Sequence, residues 1–172
     1  NKNCPIYGTY GAVLTDDDEL AERLRLIRRN GYENRDVALD IPIIGMNMQP
    51  HEDKAAQVFT SLQFLPEWQR RRTEINDYLE EQCKKIGIST RQSPEYSTRN
   101  YHKFMIFVKD NRKFVEAMTE KGVNCQLHYT YNFAKTEVFT PVWNTEYPGT
   151  EWWRQHAVTI PSNPWLTTAE LK

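Results

Sequence analysis

The sequence predicts a mixed α/β protein with a sizeable core. Three observations carry that expectation. The chain has 172 residues, enough for one ordinary domain or two small ones. Apolar residues recur at helical intervals in stretches that open on capping residues. Between them lie short runs of β-branched and aromatic residues. The composition, 39% hydrophobic, 26% charged and 12% aromatic, fits a globular protein and argues against disorder. With 22 Lys and Arg against 23 Asp and Glu, the net charge of −1 gives no bulk attraction to nucleic acid or an anionic membrane, and neither is expected as a partner. No apolar run approaches the roughly 18 residues of a membrane span, and the amino end shows no secretory signal. Cys4, Cys83 and Cys125 lack CxxC or zinc spacing and read as free thiols of a cytoplasmic protein.

The elements follow in order. Residues 1–11, with Pro5, Gly8 and Gly11, read as a loop, and Ala12 to Leu14 as a short strand. Asp16 with Glu19 has capping-box spacing, and Leu20, Leu24 and Ile27 continue at helical intervals, so a helix is expected from about 17 to 30, closed by Asn30 and Gly31. Residues 32–50 form a long irregular segment ending in GMNMQP, long enough to suspect a function. A second helical region opens near His51 and reaches about Lys85, with Pro66 expected to kink or divide it. His102 to Val108 reads as a strand. Asp110 or Asn111 then caps a helix ending at Gly122, and Val123 to Tyr129 reads as another strand, a βαβ-sized alternation. In the tail, after Trp143, Trp152 and Trp153, Thr167 with Glu170 marks a new helix start. The sequence stops one turn into it, so the chain reads as a piece of a longer polypeptide.

Spacing alone names no reaction. Lys2, beside a Gly- and Pro-rich turn, is a candidate Schiff-base nucleophile, against the plainer reading of a solvated terminal lysine. Asn47, Gln49, His51, Glu52 and Asp53 make a poor metal site, because one imidazole and two adjacent acids lack a second histidine at helical spacing; no metal is expected. His102 and His128 read as packed or surface residues. Arg70, Arg71 and Arg72, among Glu67, Glu74, Glu80 and Glu81, read as a solvated helix face. Neither a G-x-G-x-x-G nor a P-loop is present.

Read as a string, the chain carries Asn1-Lys2-Asn3 and a loop to Gly11, then Ala12-Val13-Leu14-Thr15 and TDDDELAERLRLIRRNG. Gly45 and Asn47 precede the pair Ala55 and Ala56; Leu62, Leu65 and Arg72 continue the pattern. Tyr101 to Val108, Gly122, His128 with Tyr129, and IPSNPWLT follow. In that order these segments resemble the nucleotide-sugar aminotransferases of the DegT type, pyridoxal-phosphate enzymes of fold type I, over essentially the whole chain. The resemblance implies the end of the large domain (1–50), a linking helical region (51–88) and a small α/β domain (89–172), the carboxyl-terminal half of such an enzyme. It implies that Lys2 binds pyridoxal 5'-phosphate as the internal aldimine and shuttles protons. Asn47 is then a residue that reaches the cofactor phosphate across a homodimer interface, and Gln49 stands where the substrate binds. The implied reaction moves an amino group from an amino acid, usually glutamate, to a nucleotide-linked keto sugar. Departures stand beside these matches. Thr9-Tyr10-Gly11 replaces a Glu-Gly-Gly, Gln49 replaces an arginine, Pro50 replaces a methionine, and Tyr131-Asn132-Phe133 stands where a histidine often follows. They keep open a second reading, a non-catalytic relative that uses the fold for binding or assembly.

Overall fold

The computed structural model describes residues 3–34, 36, 40–142 and 145–171. Lys2 and Trp143 lie outside them. The chain divides into two compact units, Asn1–Leu65 and Pro66–Lys172.

In the first unit, helix α1 spans Asp18–Ile27. Asp17, not Asp16, is its N-cap: the Asp17 carboxylate accepts from the Leu20 N–H at 3.0 Å, and Asp18 and Glu19 then place acids at the positive end of the helix dipole. The helix ends as expected, with Asn30 and Gly31 at φ 61° and 82°. Ala12 to Leu14 is not a strand. Val13 and Leu14 are largely exposed, and no described segment pairs with them. Helix α2 begins in this unit and runs without a break over Glu52–Lys85, through Pro66. Having no N–H, Pro66 leaves the Leu62 carbonyl without its helical donor, and the rest of the ladder carries the helix past that gap.

The second unit is built on a three-stranded antiparallel sheet: β1 (Ser89–Thr90), β2 (Phe104–Phe107) and β3 (Ala157–Ile160), in that spatial order. Phe104 pairs with Ile160 and Ile106 with Val158. Alternation along β2 sends Phe104 and Ile106 into a core with Cys83, Cys125 and Val158, covered by Leu79 of α2 and by Phe114, Val115 and Met118 of helix α3 (Asn111–Glu120). Asp110 caps α3, its carboxylate accepting from the Lys113 N–H at 3.1 Å. Phe107, leaving β2 on the opposite face, packs against Trp152 and Trp153 of helix α4 (Pro148–His156), with ring centroids 5.1 and 5.2 Å away. The expected strand from Val123 to Tyr129 is reduced to one bridge, Gln126 with Thr159; the third strand is instead β3, which follows α4. The Thr167 and Glu170 capping box is present and opens helix α5 (Thr168–Leu171): each residue's side chain accepts from the other's backbone N–H, at 2.8 and 3.3 Å.

Candidate active site

Two backbone arrangements in the first unit hold the segments that carry the sequence candidates. The first fixes Asn47. The end of α1 and residues 45–48 lie side by side: the Met46 N–H donates to Ile27 O at 2.8 Å, the Met48 N–H to Arg28 O at 3.0 Å, and the Asn30 N–H to Met46 O at 3.1 Å. Asn47 thereby bridges Arg29 antiparallel. This approach requires glycine twice. A Cβ on Gly31 would stand 1.9 Å from Ile43 O. One on Gly45 would be equally obstructed by the turn that ends α1. Asn47 and Gln49 are both exposed, so a tied backbone presents two neutral amide side chains outward.

The second arrangement docks the stretch following Lys2 onto the first turns of α2. Ser61 Oγ donates to Pro5 O at 2.6 Å, the Tyr7 N–H donates to Gln57 Oε1 at 2.8 Å, and the Lys54 ammonium lies over the Tyr7 ring, 5.3 Å from its centroid. Ala56 lines the cavity of about 520 Å3 beside this contact. Sequence reasoning missed Gln57 and Ser61 as anchors. The pair Ala55 and Ala56, small residues about a turn and a half ahead of Ser61, was the available signal.

In the second unit, His128 Nδ1 is 3.1 Å from Thr159 Oγ1, its Nε2 meets the Lys103 ammonium, and its carbonyl accepts from Trp153 Nε1 at 3.1 Å. Burial, reinforced by Lys103, holds this imidazole below the usual histidine value. Of the arginine run, Arg70 pairs with Glu67 and Glu74 on the solvated face as expected, and the half-buried Arg71 shares Glu74 at 3.3 Å. Arg71 donates to Leu166 O at 2.9 Å, and Arg72 is buried at 4% exposure, a correction to the solvated-face reading. Among the described residues no group of three His, Cys, Asp or Glu gathers as metal ligands, and no helix is long and apolar enough to cross a membrane.

The match to known sequences decides the family. Residues 1–172 match the DegT/DnrJ/EryC1/StrS aminotransferase family. The chain belongs to that family. It is 30% identical over 129 residues to the erythromycin biosynthesis sensory transduction protein EryC1 of Saccharopolyspora erythraea, covering 74% of this chain and 34% of that protein. It is 27% identical over 166 residues to the dTDP-3-amino-3,6-dideoxy-alpha-D-galactopyranose transaminase of Aneurinibacillus thermoaerophilus, covering 94% of this chain and 44% of that one. The fold is shared with DesV of S. venezuelae, solved in complex with a ketimine intermediate: TM-score 0.85 at 21% identity, over 92% of this chain and 43% of DesV. The chain thus spans between a third and a half of the length of the proteins it matches.

Proposed function

We propose that this chain is the carboxyl-terminal part of a pyridoxal-phosphate aminotransferase that moves an amino group from an amino acid, typically glutamate, to a nucleotide-linked keto sugar. The observation that carries the proposal is the family match over residues 1–172, which runs from Lys2 through Asn47 to the tail. In this reading residues 1–50 end the large domain, 51–88 link it, and 89–172 form the small domain. Three free thiols suit a cytoplasmic enzyme.

The donor set fits the cofactor. A primary amine at Lys2 is the group that condenses with an aldehyde, and the exposed Asn47 amide, on a backbone tied to α1, has an N–H to donate to a phosphate oxygen. When bound, pyridoxal phosphate supplies the electron sink for carbanion chemistry. This chain's own residues do the rest. With the cofactor bound, the Lys2 Nζ would take and return the proton at the reacting carbon, work worth about 10² to 10⁴ in rate. Asn47 orients the phosphate end, as part of a homodimer's shared site. Gln49 offers the sugar substrate's hydroxyl groups an amide donor and acceptor without fixed positive charge.

Borohydride reduction of the intact protein tests the assignment. Peptide mass mapping should then find the pyridoxyl group on Lys2. A Lys2→Ala protein that still retained a reducible cofactor bond would refute it. Gln49 and Thr9-Tyr10-Gly11 favour one other reading, a non-catalytic relative used for binding or assembly. Failure to aminate any of a panel of nucleotide keto sugars from glutamate, with Lys2 loaded, selects that reading.

A further inference from the structure

The second unit holds a cavity of about 460 Å3 beside the middle of α2, the loop over 91–103 and the start of β2. That volume lies within the range of small-molecule sites. Arg91, Arg99 and Lys103 line it, and among the described residues no carboxylate does. Arg99 is partly neutralised by Glu80, 3.1 Å away, and its Nε donates to Ser93 Oγ at 2.9 Å. Lys103 meets His128 Nε2. Arg91 forms no ion pair among the described residues, while its backbone N–H donates to Met105 O at 3.1 Å and so fixes where its side chain starts.

Beside this cavity lie polar groups left unmatched among the described residues. Asn76, 0% exposed, lines it; its Nδ2 donates to Arg72 O at 2.7 Å, and its Oδ1 has no partner among the described residues. One turn earlier, and not itself lining the cavity, buried Arg72 reaches the Tyr101 carbonyl at 3.4 Å, and its Nε has no partner among the described residues. A buried acceptor without a donor is unfavourable, and a desolvated guanidinium without a counter-ion is more so. Tyr101 stands at the same wall with φ 46°, a left-handed conformation for a bulky side chain, while its hydroxyl donates to Asp77 Oδ1 at 3.2 Å. Ser97 and Thr98 add hydroxyl donors.

Cationic side chains and hydroxyl donors together match a phosphate oxyanion carried on a small body. We propose that this cavity binds a small phosphomonoester, its phosphate held by Arg91, Arg99 and Lys103, with Ser97 and Thr98 offering hydroxyl donors beside them. The site is lined by residues between Asn76 and Met105 and does not rest on the roles of Lys2 and Asn47.

Calorimetric titration of the intact protein tests the proposal, using inorganic phosphate and glucose 1-phosphate after saturation with pyridoxal phosphate. Saturable binding is expected, tighter for glucose 1-phosphate. Arg91→Ala, at an exposed position, should weaken it by about tenfold or more, since a charge-assisted hydrogen bond is lost. Thr98→Val should weaken it less, and Arg112→Ala on α3 should leave it unchanged. If the protein takes up no pyridoxal phosphate, the titration is run without it, and Asn47→Ala, expected to be silent, shows that the phosphate is not held at that residue. Absence of saturable binding, equal loss with Arg112→Ala, equal affinity for succinate, or simple competition with nucleotide sugars would each overturn the proposal.

Discussion

A Cβ on Gly45 would stand 2.1 Å from the Gly31 amide nitrogen, nearer than any non-bonded carbon and nitrogen can approach. The two glycines therefore set the distance between the end of α1 and the segment that carries Asn47. Gly45→Ala must push that segment away, breaking the hydrogen bonds of Met46 and Met48. The expected result is a loss of about 1–3 kcal/mol, measured by denaturant unfolding of the intact protein, together with weaker pyridoxal-phosphate retention. Gly149→Ala, where an added methyl meets nothing within 4 Å, should not destabilise.

Asn111 is a buried side chain that joins α3 to the end of α4: its Nδ2 donates to Arg154 O at 2.8 Å and to Ala157 O at 3.2 Å. Asn111→Ala leaves both carbonyls without that donor and opens a small void. A destabilisation of about 1–3 kcal/mol is expected, with faster amide exchange in β3.

His128 titrates below the usual histidine value, for the reasons of burial and Lys103 given above. The sign follows directly. The unfolded chain takes up a proton near pH 6.5 while the folded one still resists it, so folding stability falls as pH drops below about 6.5 and levels off once the folded imidazole is also charged. NMR titration should place His128 below an unperturbed histidine, and Lys103→Met should bring it closer to that value.

Glu151 accepts from Arg154 Nε at 2.9 Å and from Gln155 Nε2 at 3.1 Å, contacts that hold its carboxyl at about 2, well below the usual 4.5. A depressed carboxylate stabilises the fold above its unfolded value and loses that contribution as pH falls toward 2. Glu151→Gln should therefore flatten the acid limb of the α4 stability profile while changing little at neutral pH.

The helices other than α4 were legible because their ends are written locally; α4, whose N-cap Tyr147 makes no side-chain cap, was not. Asp110 before α3, Gly122 after it, and Thr167 with Glu170 at α5 each satisfy helix-end backbone groups within a few residues. The one-residue error at α1 came from three consecutive aspartates, any of which has capping chemistry. The strands were harder. Ala12 to Leu14 has β-forming residues but no partner among the described residues, whereas Ala157–Ile160, only four residues joined directly to α4, owes its state to pairing with Phe104–Phe107. In the candidate site, Gly45 and Asn47 were visible as a spaced motif. The orphaned Asn76 and Arg72 were not, because their burial comes from a loop some 25–30 residues further along the chain.

Cys83 and Cys125 sit in one core cluster, 7% and 5% exposed, with thiols pushed up by burial, whereas Cys4 is only partly buried. Since the thiolate is the species that alkylates, maleimide or iodoacetamide should mark Cys4 in the native protein and reach the other two only when the sheet parts from α2 and α3. Their modification rate is a built-in clock for opening of the second unit, readable by mass spectrometry without any engineered probe.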